Sequence, residues 1–289
     1  MMLFIINPRS GAKKSADDLR VLVKKYFPRA DIVFTERPGH AREMAAAAAR
    51  NGYAKVIVCG GDGTINEAAR GTAGTNAALG VIPRGSGNGF ARELGMSLDN
   101  KTALKQLRKA RVINCDAGEI NGDFFINLAG IGIEAEIAHA FAKHGRRGRL
   151  PYFWLGLKTI LSYKPRKIKI ISGGIETEAA PLTLAFANGR QYGTNFKIAP
   201  KASLTDGFLD MVQVLNKHIL RMIFALPEFF NSTLRPFDPT QVSKIKEARI
   251  ITGGPVFYHV DGEPKKSAGG EFTVKILPAA LKVLTPKKL

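Results

Sequence analysis

Two patterns of apolar positions divide the chain. Through about the first 115 residues, short apolar runs alternate with stretches of helical period. Leu3 to Ile6 is an apolar run, ended by Asn7-Pro8-Arg9-Ser10-Gly11. Ser15, with Asp18 three residues on, resembles a capping box and opens a helix through Leu19, Leu22, Val23 and Phe27. Asp31 to Thr35 predicts a second strand. An Ala-rich helix follows from about His40 to Asn51, with Gly52 as its C-terminal cap. Val56 to Cys59 predicts a third strand running into Gly60-Gly61-Asp62-Gly63-Thr64, after which Asn66 to Arg70 reads as helical. Leu79 to Ile82 predicts a fourth strand, followed by Pro83-Arg84-Gly85-Ser86-Gly87-Asn88-Gly89 and a short helix from Phe90. This alternation implies a parallel sheet with helices on both faces. In such sheets ligands bind beyond the carboxyl ends of the strands, where all three Gly-rich turns fall.

From about residue 118 the pattern changes. Phe124 to Leu128, Ile168 to Ile171, Leu182 to Ala187, Phe208 to Val214, Arg249 to Thr252, Val256 to Val260 and Phe272 to Leu277 read as strands, mostly joined by turn signals. Helical stretches interrupt them near 133–144, 152–162 and 216–230. The fold class expected is therefore α/β plus β: a parallel α/β domain over 1–117, then an antiparallel, β-sandwich-like domain over 118–278.

Composition adds one strong constraint. Lys and Arg number 43 against 24 Asp and Glu, a formal net charge of +19, which favours an anionic partner. Basic and aromatic residues are not interleaved as in single-strand binders, and no helix-turn-helix or zinc-finger spacing occurs, so nucleic acid is not the expected partner. Cys59 and Cys115 are the only cysteines, both in apolar surroundings, which fits a reduced, cytoplasmic chain. No apolar run approaches the ~18 residues of a membrane span. Met1 to Asn7 has no basic leader and reads as a first strand, so any membrane contact is expected to be peripheral. The five histidines have no ligand-like spacing, which argues against zinc.

The chemistry is concentrated in the loops. In Gly60-Gly61-Asp62-Gly63-Thr64-Ile65-Asn66, glycines let backbone approach a ligand, and the following helix offers free N–H groups and a positive dipole end to phosphate. Asp62 adds a carboxylate that could bind a metal, accept a proton or simply cap the turn. Small-polar loops follow the first and fourth strands as well. No Gly-Lys pair occurs, so this is not a Walker loop, and the dinucleotide fingerprint is absent. Two acidic turns lie in the second half: Ser203-Leu204-Thr205-Asp206-Gly207-Phe208 and Val260-Asp261-Gly262-Glu263. Asp-Gly is also a favoured hairpin turn.

Taken in order, these motifs resemble the diacylglycerol kinase catalytic family of lipid kinases, which includes sphingosine and ceramide kinases. The resemblance spans nearly the whole chain. It implies a nucleotide-binding α/β domain and a lipid-binding β-sandwich domain, with residues 279–289 returning to the first. It implies that Asn7, Pro8, Arg9, Ser10 and Gly11, together with Gly60, Gly61, Asp62, Gly63, Thr64, Ile65 and Asn66, hold the phosphates of ATP. Thr35 and Ser86 match nucleotide-contacting positions. Glu263 matches the general base, with Asp62 organising Mg²⁺–ATP; the reverse assignment stays open. Asp206 matches a metal-site carboxylate, with Ser203 and Phe208 giving backbone carbonyls, a site that is structural in some relatives. The implied reaction moves the γ-phosphoryl group to a hydroxyl of diacylglycerol or a related lipid. Gly89 stands where many bacterial relatives carry Asp, and the Gly-Ser-Gly-Asn form also occurs in sphingoid-base kinases, so the lipid is left open.

The implied locale is cytoplasmic and peripheral to the inner face of an anionic membrane, with a homodimer left open. Arg146, Arg147 and Arg149, before Leu150-Pro151-Tyr152-Phe153-Trp154-Leu155, and Lys164, Arg166, Lys167 and Lys169 after it, form a basic, aromatic candidate for that contact. Ile219 to Phe230 is a candidate acyl-chain element. Two other readings compete: an NAD kinase-like enzyme, which shares the Gly-Gly-Asp-Gly loop, and a non-catalytic nucleotide or anionic-lipid binding module.

Overall fold

The computed structural model describes residues 1–11, 16–144, 156, 158–159, 162–191, 197–215 and 240–286. Ser15, the 146–155 basic-aromatic run and the 216–230 stretch lie outside these residues. Two compact units form: residues 1–117, 204–206 and 278–289 make the first, and 118–203 and 207–277 the second.

In chain order the first unit begins β1 (Met2–Ile6), α1 (Ala16–Tyr26), β2 (Asp31–Phe34), α2 (His40–Arg50), β3 (Lys55–Gly60), α3 (Asp62–Thr72), β4 (Ala78–Pro83), α4 (Gly89–Glu93), α5 (Asn100–Arg108) and β5 (Arg111–Ile120). Its sheet runs β2-β1-β3-β4, all parallel, and Lys282 and Val283 pair in parallel beyond β4. The sequence explains why this sheet is central. Phe4, Ile5, Ile6, Val56, Ile57, Val58, Leu79 and Val81 are all fully buried, as strands covered on both faces require. The crossover β1–α1–β2 travels one way along the sheet and β2–α2–β3 the other. Right-handed connections therefore set α1 and α2 on opposite faces. α1 packs on α5, and α2 on α3. The strand order reverses between β1 and β3, and in sheets of this kind ligands bind beyond the carboxyl ends of the strands at such a reversal.

The second unit adds β6 (Asp123–Phe125), β7 (Leu128–Gly132), α6 (Ile133–His144), β8 (Ile168–Ser172), β9 (Ile175–Ala179), β10 (Pro181–Ala187), β11 (Leu209–Leu215), β12 (Thr240–Ile245), β13 (Glu247–Ile251), β14 (Phe257–Val260), β15 (Glu263–Lys266) and β16 (Glu271–Thr285). One sheet is antiparallel in the order β12-β11-β10-β7-β14-β15. The other joins the first part of β16 to β13, β8 and β9, also antiparallel. Phe125, Leu184, Phe186, Ile250 and Phe272, drawn from both sheets, fill one core. Tyr258 and Phe272 meet edge to face with centroids 5.5 Å apart. The fold class is thus a parallel α/β unit followed by an antiparallel sandwich.

Two-residue turns set the register in three places. Asn121-Gly122, Gly173-Gly174 and Asp261-Gly262 each carry positive φ at both residues. The flanking pairs are Ile120 with Asp123, Ser172 with Ile175, and Val260 with Glu263. That is the turn whose twist matches antiparallel strands.

Several elements depart from the sequence expectation. α3 starts at Asp62, not Asn66, so Asp62 to Asn66 are its first turns rather than loop. Phe124 to Leu128 is not one strand: β6 and β7 are separated by a bend at Ile126 and Asn127. α5, β5, β9, β12 and β15 have no counterpart in that expectation. α5 carried a signal, since Asp99 caps it by accepting the Thr102 N–H at 2.9 Å. β9 and the described side chains of β12 are exposed but for Ala179 and Ile245, and β15 holds Pro264. Such sheet-edge segments show no buried alternation.

Phe186 is fully buried at the centre of the sandwich. Phe186→Ala should cost about 3–5 kcal/mol of unfolding free energy, read as a lowered midpoint in urea denaturation.

Candidate functional site

The ends of β1, β3 and β4 carry the three small-polar loops, and within the first unit they are joined to one another. Asn7 Nδ2 donates to Thr64 Oγ1 at 2.8 Å, tying the first loop to the first turn of α3. Asn7 N–H donates to the Cys59 carbonyl at 2.9 Å, and Arg84 N–H to the Gly60 carbonyl at 2.8 Å. The second and third loops approach so closely that a Cβ on Gly85 would lie 2.7 Å from the Gly61 Cα. Only glycine permits that contact.

Asp62 closes this approach. Its Oδ2 accepts the Asn88 N–H and its Oδ1 the Gly89 N–H, both at 2.8 Å. These are N–H groups at the start of α4, where a carboxylate suits both the donors and the dipole. Asn88, in a left-handed conformation, folds its side chain back onto Gly85, accepting its N–H at 2.8 Å and donating to its carbonyl at 2.7 Å. Burial holds the Asp62 carboxyl above its ordinary value, against the lowering effect of these N–H groups. The Cys59 thiol is pushed up to about 12 by burial, so it is an inert strand thiol.

Thr35 follows β2 at the same end of the sheet, buried, its N–H on the Ile6 carbonyl at 2.9 Å. The loop beyond it is held by a residue that the sequence reasoning passed over. Glu67 on α3 accepts the Gly39 N–H at 2.8 Å and the Ala41 N–H at 3.2 Å, capping α2 from outside. Gly39 itself offers no side-chain cap. Arg9 and Ser86 are exposed at the loop tips. Arg84, also unassigned in the sequence reading, is 7% exposed. Its place directly before Gly85-Ser86-Gly87-Asn88 was the available signal.

In the second unit Glu263 is exposed and opens β15, straight after the Asp261-Gly262 turn. The hairpin reading of Asp-Gly holds there, and Asp261 does more than turn. Its carboxylate accepts N–H groups from Ile126, Asn127 and Leu128 at 2.9, 2.9 and 3.0 Å, which fixes the bend between β6 and β7. Asp123 on β6 accepts from Tyr258 and Lys265 on the same hairpin. Glu263 therefore projects from a hairpin tied at two points. Ser203, Asp206 and Phe208 are each half-buried in the segment before β11. Among the described residues no group of three His, Cys, Asp or Glu could hold a metal. One carboxylate with main-chain carbonyls is still the hard-oxygen donor type that suits Mg²⁺ with its retained waters.

Residues 1–120 match the diacylglycerol kinase catalytic domain, and residues 127–285 match the YegS C-terminal NAD kinase beta sandwich-like domain. A relative named diacylglycerol kinase, from Mycobacterium tuberculosis, is 30% identical over 255 residues, covering 86% of this chain and 82% of its own. A relative from Chromohalobacter salexigens named "Probable lipid kinase YegS-like" is 29% identical over 289 residues, covering 98% and 92%. The chain belongs to the diacylglycerol kinase family of lipid kinases. A crystal structure of a diacylglycerol kinase from Bacillus anthracis str. Sterne shares its fold, with a TM-score of 0.76 at 21% identity, over 98% of this chain and 96% of that one.

This lipid kinase family member also has a cleft in its second unit, lined by Ile131, Tyr163, Arg166, Ile168, Leu184 and Phe257, among others. It encloses about 420 Å³ counting its open mouth. On α6, half-buried Glu134 lies against buried His259. Glu134 Oε2 accepts from Thr183, while Oε1 is sealed from solvent 3.9 Å from His259 Nε2. Burial pushes the Glu134 carboxyl up to about 8 and His259 down to about 4, so both are neutral near pH 7. Among the described residues no helix is long and apolar enough to cross a membrane.

Asp62→Ala should lower stability by about 1–3 kcal/mol in urea denaturation, because the Asn88 and Gly89 N–H groups lose their acceptor, with Asp62→Asn intermediate. The Glu134–His259 pair sets a pH dependence. Glu134 binds its proton more tightly folded, about 8 against an ordinary 4.5, so its contribution to stability is lost as pH rises between those values. His259 binds its proton less tightly folded, about 4 against 6.5, so its contribution is lost as pH falls through that range. The two oppose each other in the overlap, and above about 6.5 only Glu134 remains. The urea midpoint should therefore fall from pH 6.5 to 8 in the wild type and stay flat in Glu134→Gln.

Proposed function

We propose that this chain transfers the γ-phosphoryl group of ATP to a hydroxyl of diacylglycerol or a related long-chain lipid. The observation that carries the reading is the joining of three small-polar loops at the carboxyl ends of β1, β3 and β4, within residues that match a kinase catalytic domain. ATP, when bound, supplies the phosphoryl group. The loop of Asn7 to Gly11, the Gly60-Gly61 turn and the first turns of α3 through Asn66 would hold its phosphates with backbone N–H groups. Thr35 and Ser86 lie on loops at that same sheet end and would contact the nucleotide. Phosphoryl transfer asks the protein for alignment and charge neutralisation more than for covalent chemistry, and rigid, mutually bonded loops suit that demand.

Glu263 would take the proton of the acceptor hydroxyl, since an exposed carboxylate on an anchored hairpin can reach an incoming group without distorting its own support. Asp62 has both oxygens engaged by α4 N–H groups, which favours Glu263 over Asp62 as the base. Ser203, Asp206 and Phe208 would hold Mg²⁺. The cleft beside Ile131, Leu184 and Phe257 is the candidate place for an acyl chain. Exposed Lys164, Arg166 and Lys167 would face an anionic lipid surface; Lys169 is engaged by Glu176 at 2.7 Å.

The test incubates the purified chain with radiolabelled ATP, Mg²⁺ and separate lipids: diacylglycerols, sphingoid bases, ceramides and long-chain alcohols, with NAD in a parallel tube. Organic-extractable label that drops at least about 100-fold in Glu263→Gln, with ATP binding retained, is the expected result. Label in NADP alone would replace this reading with the NAD kinase-like one, which the description of the C-terminal match also motivates. ATP binding with no transfer to any acceptor would leave a binding module.

A further inference from the structure

Holding a nucleoside triphosphate takes positive charge as well as N–H groups, and this chain lacks the Gly-Lys pair that supplies it in Walker loops. We propose that Arg84 is the fixed cation that receives the phosphate chain of the donor. The proposal rests on the nucleotide reading of the loop cluster and names a residue to which that reading assigned no role.

Arg84 is the first residue after β4, and its N–H is fixed to the Gly60 carbonyl at 2.8 Å. Its guanidinium reaches across to the loop after β1, where a Cβ on Gly11 would lie 3.3 Å from both Nε and Nη2. The side chain therefore links the ends of β4 and β1 past the end of β3. With 7% exposure it is mostly withdrawn from water, where its attraction for phosphate oxygens is less screened than at the surface. The other charged groups of the cluster are arranged differently. Arg9 is exposed at the loop tip, and Asp62 is directed to Asn88 and Gly89. The start of α3 lies at the same sheet end, so its positive dipole end and the guanidinium act with one sign. A planar fork with several donors matches phosphate oxygens in a way that a lysine does not.

The experiment measures binding by calorimetry to the full chain, with ATP, AMP and inorganic tripolyphosphate as probes, beside thermal unfolding of each variant. Arg84→Met should weaken ATP and tripolyphosphate by about 10–100-fold and AMP by much less, the loss expected for one charge-assisted contact. Arg84→Lys keeps the charge but not the fork, and should fall between; it carries the test should Arg84→Met not fold. The proposal is overturned if ATP and tripolyphosphate bind folded variants as they bind the wild type. It is equally overturned if ATP and AMP weaken by one common factor as the unfolding midpoint drops, which would make Arg84 a loop strut. Arg84-dependent binding of tripolyphosphate by a chain that ignores both nucleotides would keep the cation site and remove the nucleotide reading. A wild type that binds none of the three probes removes both.

Discussion

Two N–H groups on one carboxylate hold the crest of the first unit together. Asp62 receives Asn88 and Gly89 at 2.8 Å each, and this closes the Gly61–Gly85 approach into a single surface. Without a side chain at Gly61 or Gly85 the two loops can touch, but touching alone does not fix their orientation. The carboxylate does, because both its oxygens are directed. Its partial burial raises the cost of leaving it unpaired, so the loops and the acid stabilise one another. Glu67 applies the same device one turn later on α3, reaching out to the start of α2. The helix behind the second loop thus supports the third loop through Asp62, the first through Thr64 and the Thr35 segment through Glu67.

The second unit uses acids in a related way. Asp261 sits in the left-handed position of a two-residue turn and also receives three consecutive N–H groups from the bend at Ile126 to Leu128. A residue that sequence statistics read as turn-forming is at the same time the anchor of another segment. Glu263 inherits its position from that anchor and from Asp123, which receives Tyr258 and Lys265.

Much of this was legible in the sequence. The parallel sheet followed from short apolar runs alternating with stretches of helical period, and the change to antiparallel pairing followed from successive runs joined mostly by turn signals. The three loops were visible as composition. What stayed hidden was of two kinds. Edge strands such as β9 carry Ile175-Glu176-Thr177-Glu178, exposed side chains with no buried face, and backbone pairing leaves no mark on composition. Long-range bonds were the other kind. Nothing local to Asp62 indicates that its partners are 26 and 27 residues away, or that Glu67 caps a helix 26 to 28 residues earlier. Arg84 was overlooked because a cation inside a Gly-rich stretch looks like ordinary surface until its burial is known.

The last strand is shared between the two units. Residues 271–277 of β16 belong to the sandwich, whereas 278–285 complete the first unit, with Leu281, Val283 and Leu284 buried and Thr285 bonded to the Leu94 carbonyl at 3.0 Å. Within that second stretch the Ala279 N–H, at a residue with positive φ, donates to Asp116 at 2.7 Å. On a ribosome this reverses the usual order of domain folding. Residues 1–117 of the first unit are translated first, yet the strand beyond β4 emerges only after the whole sandwich has been made. The first unit's nascent sheet must wait with an open edge until residues 278–285 emerge.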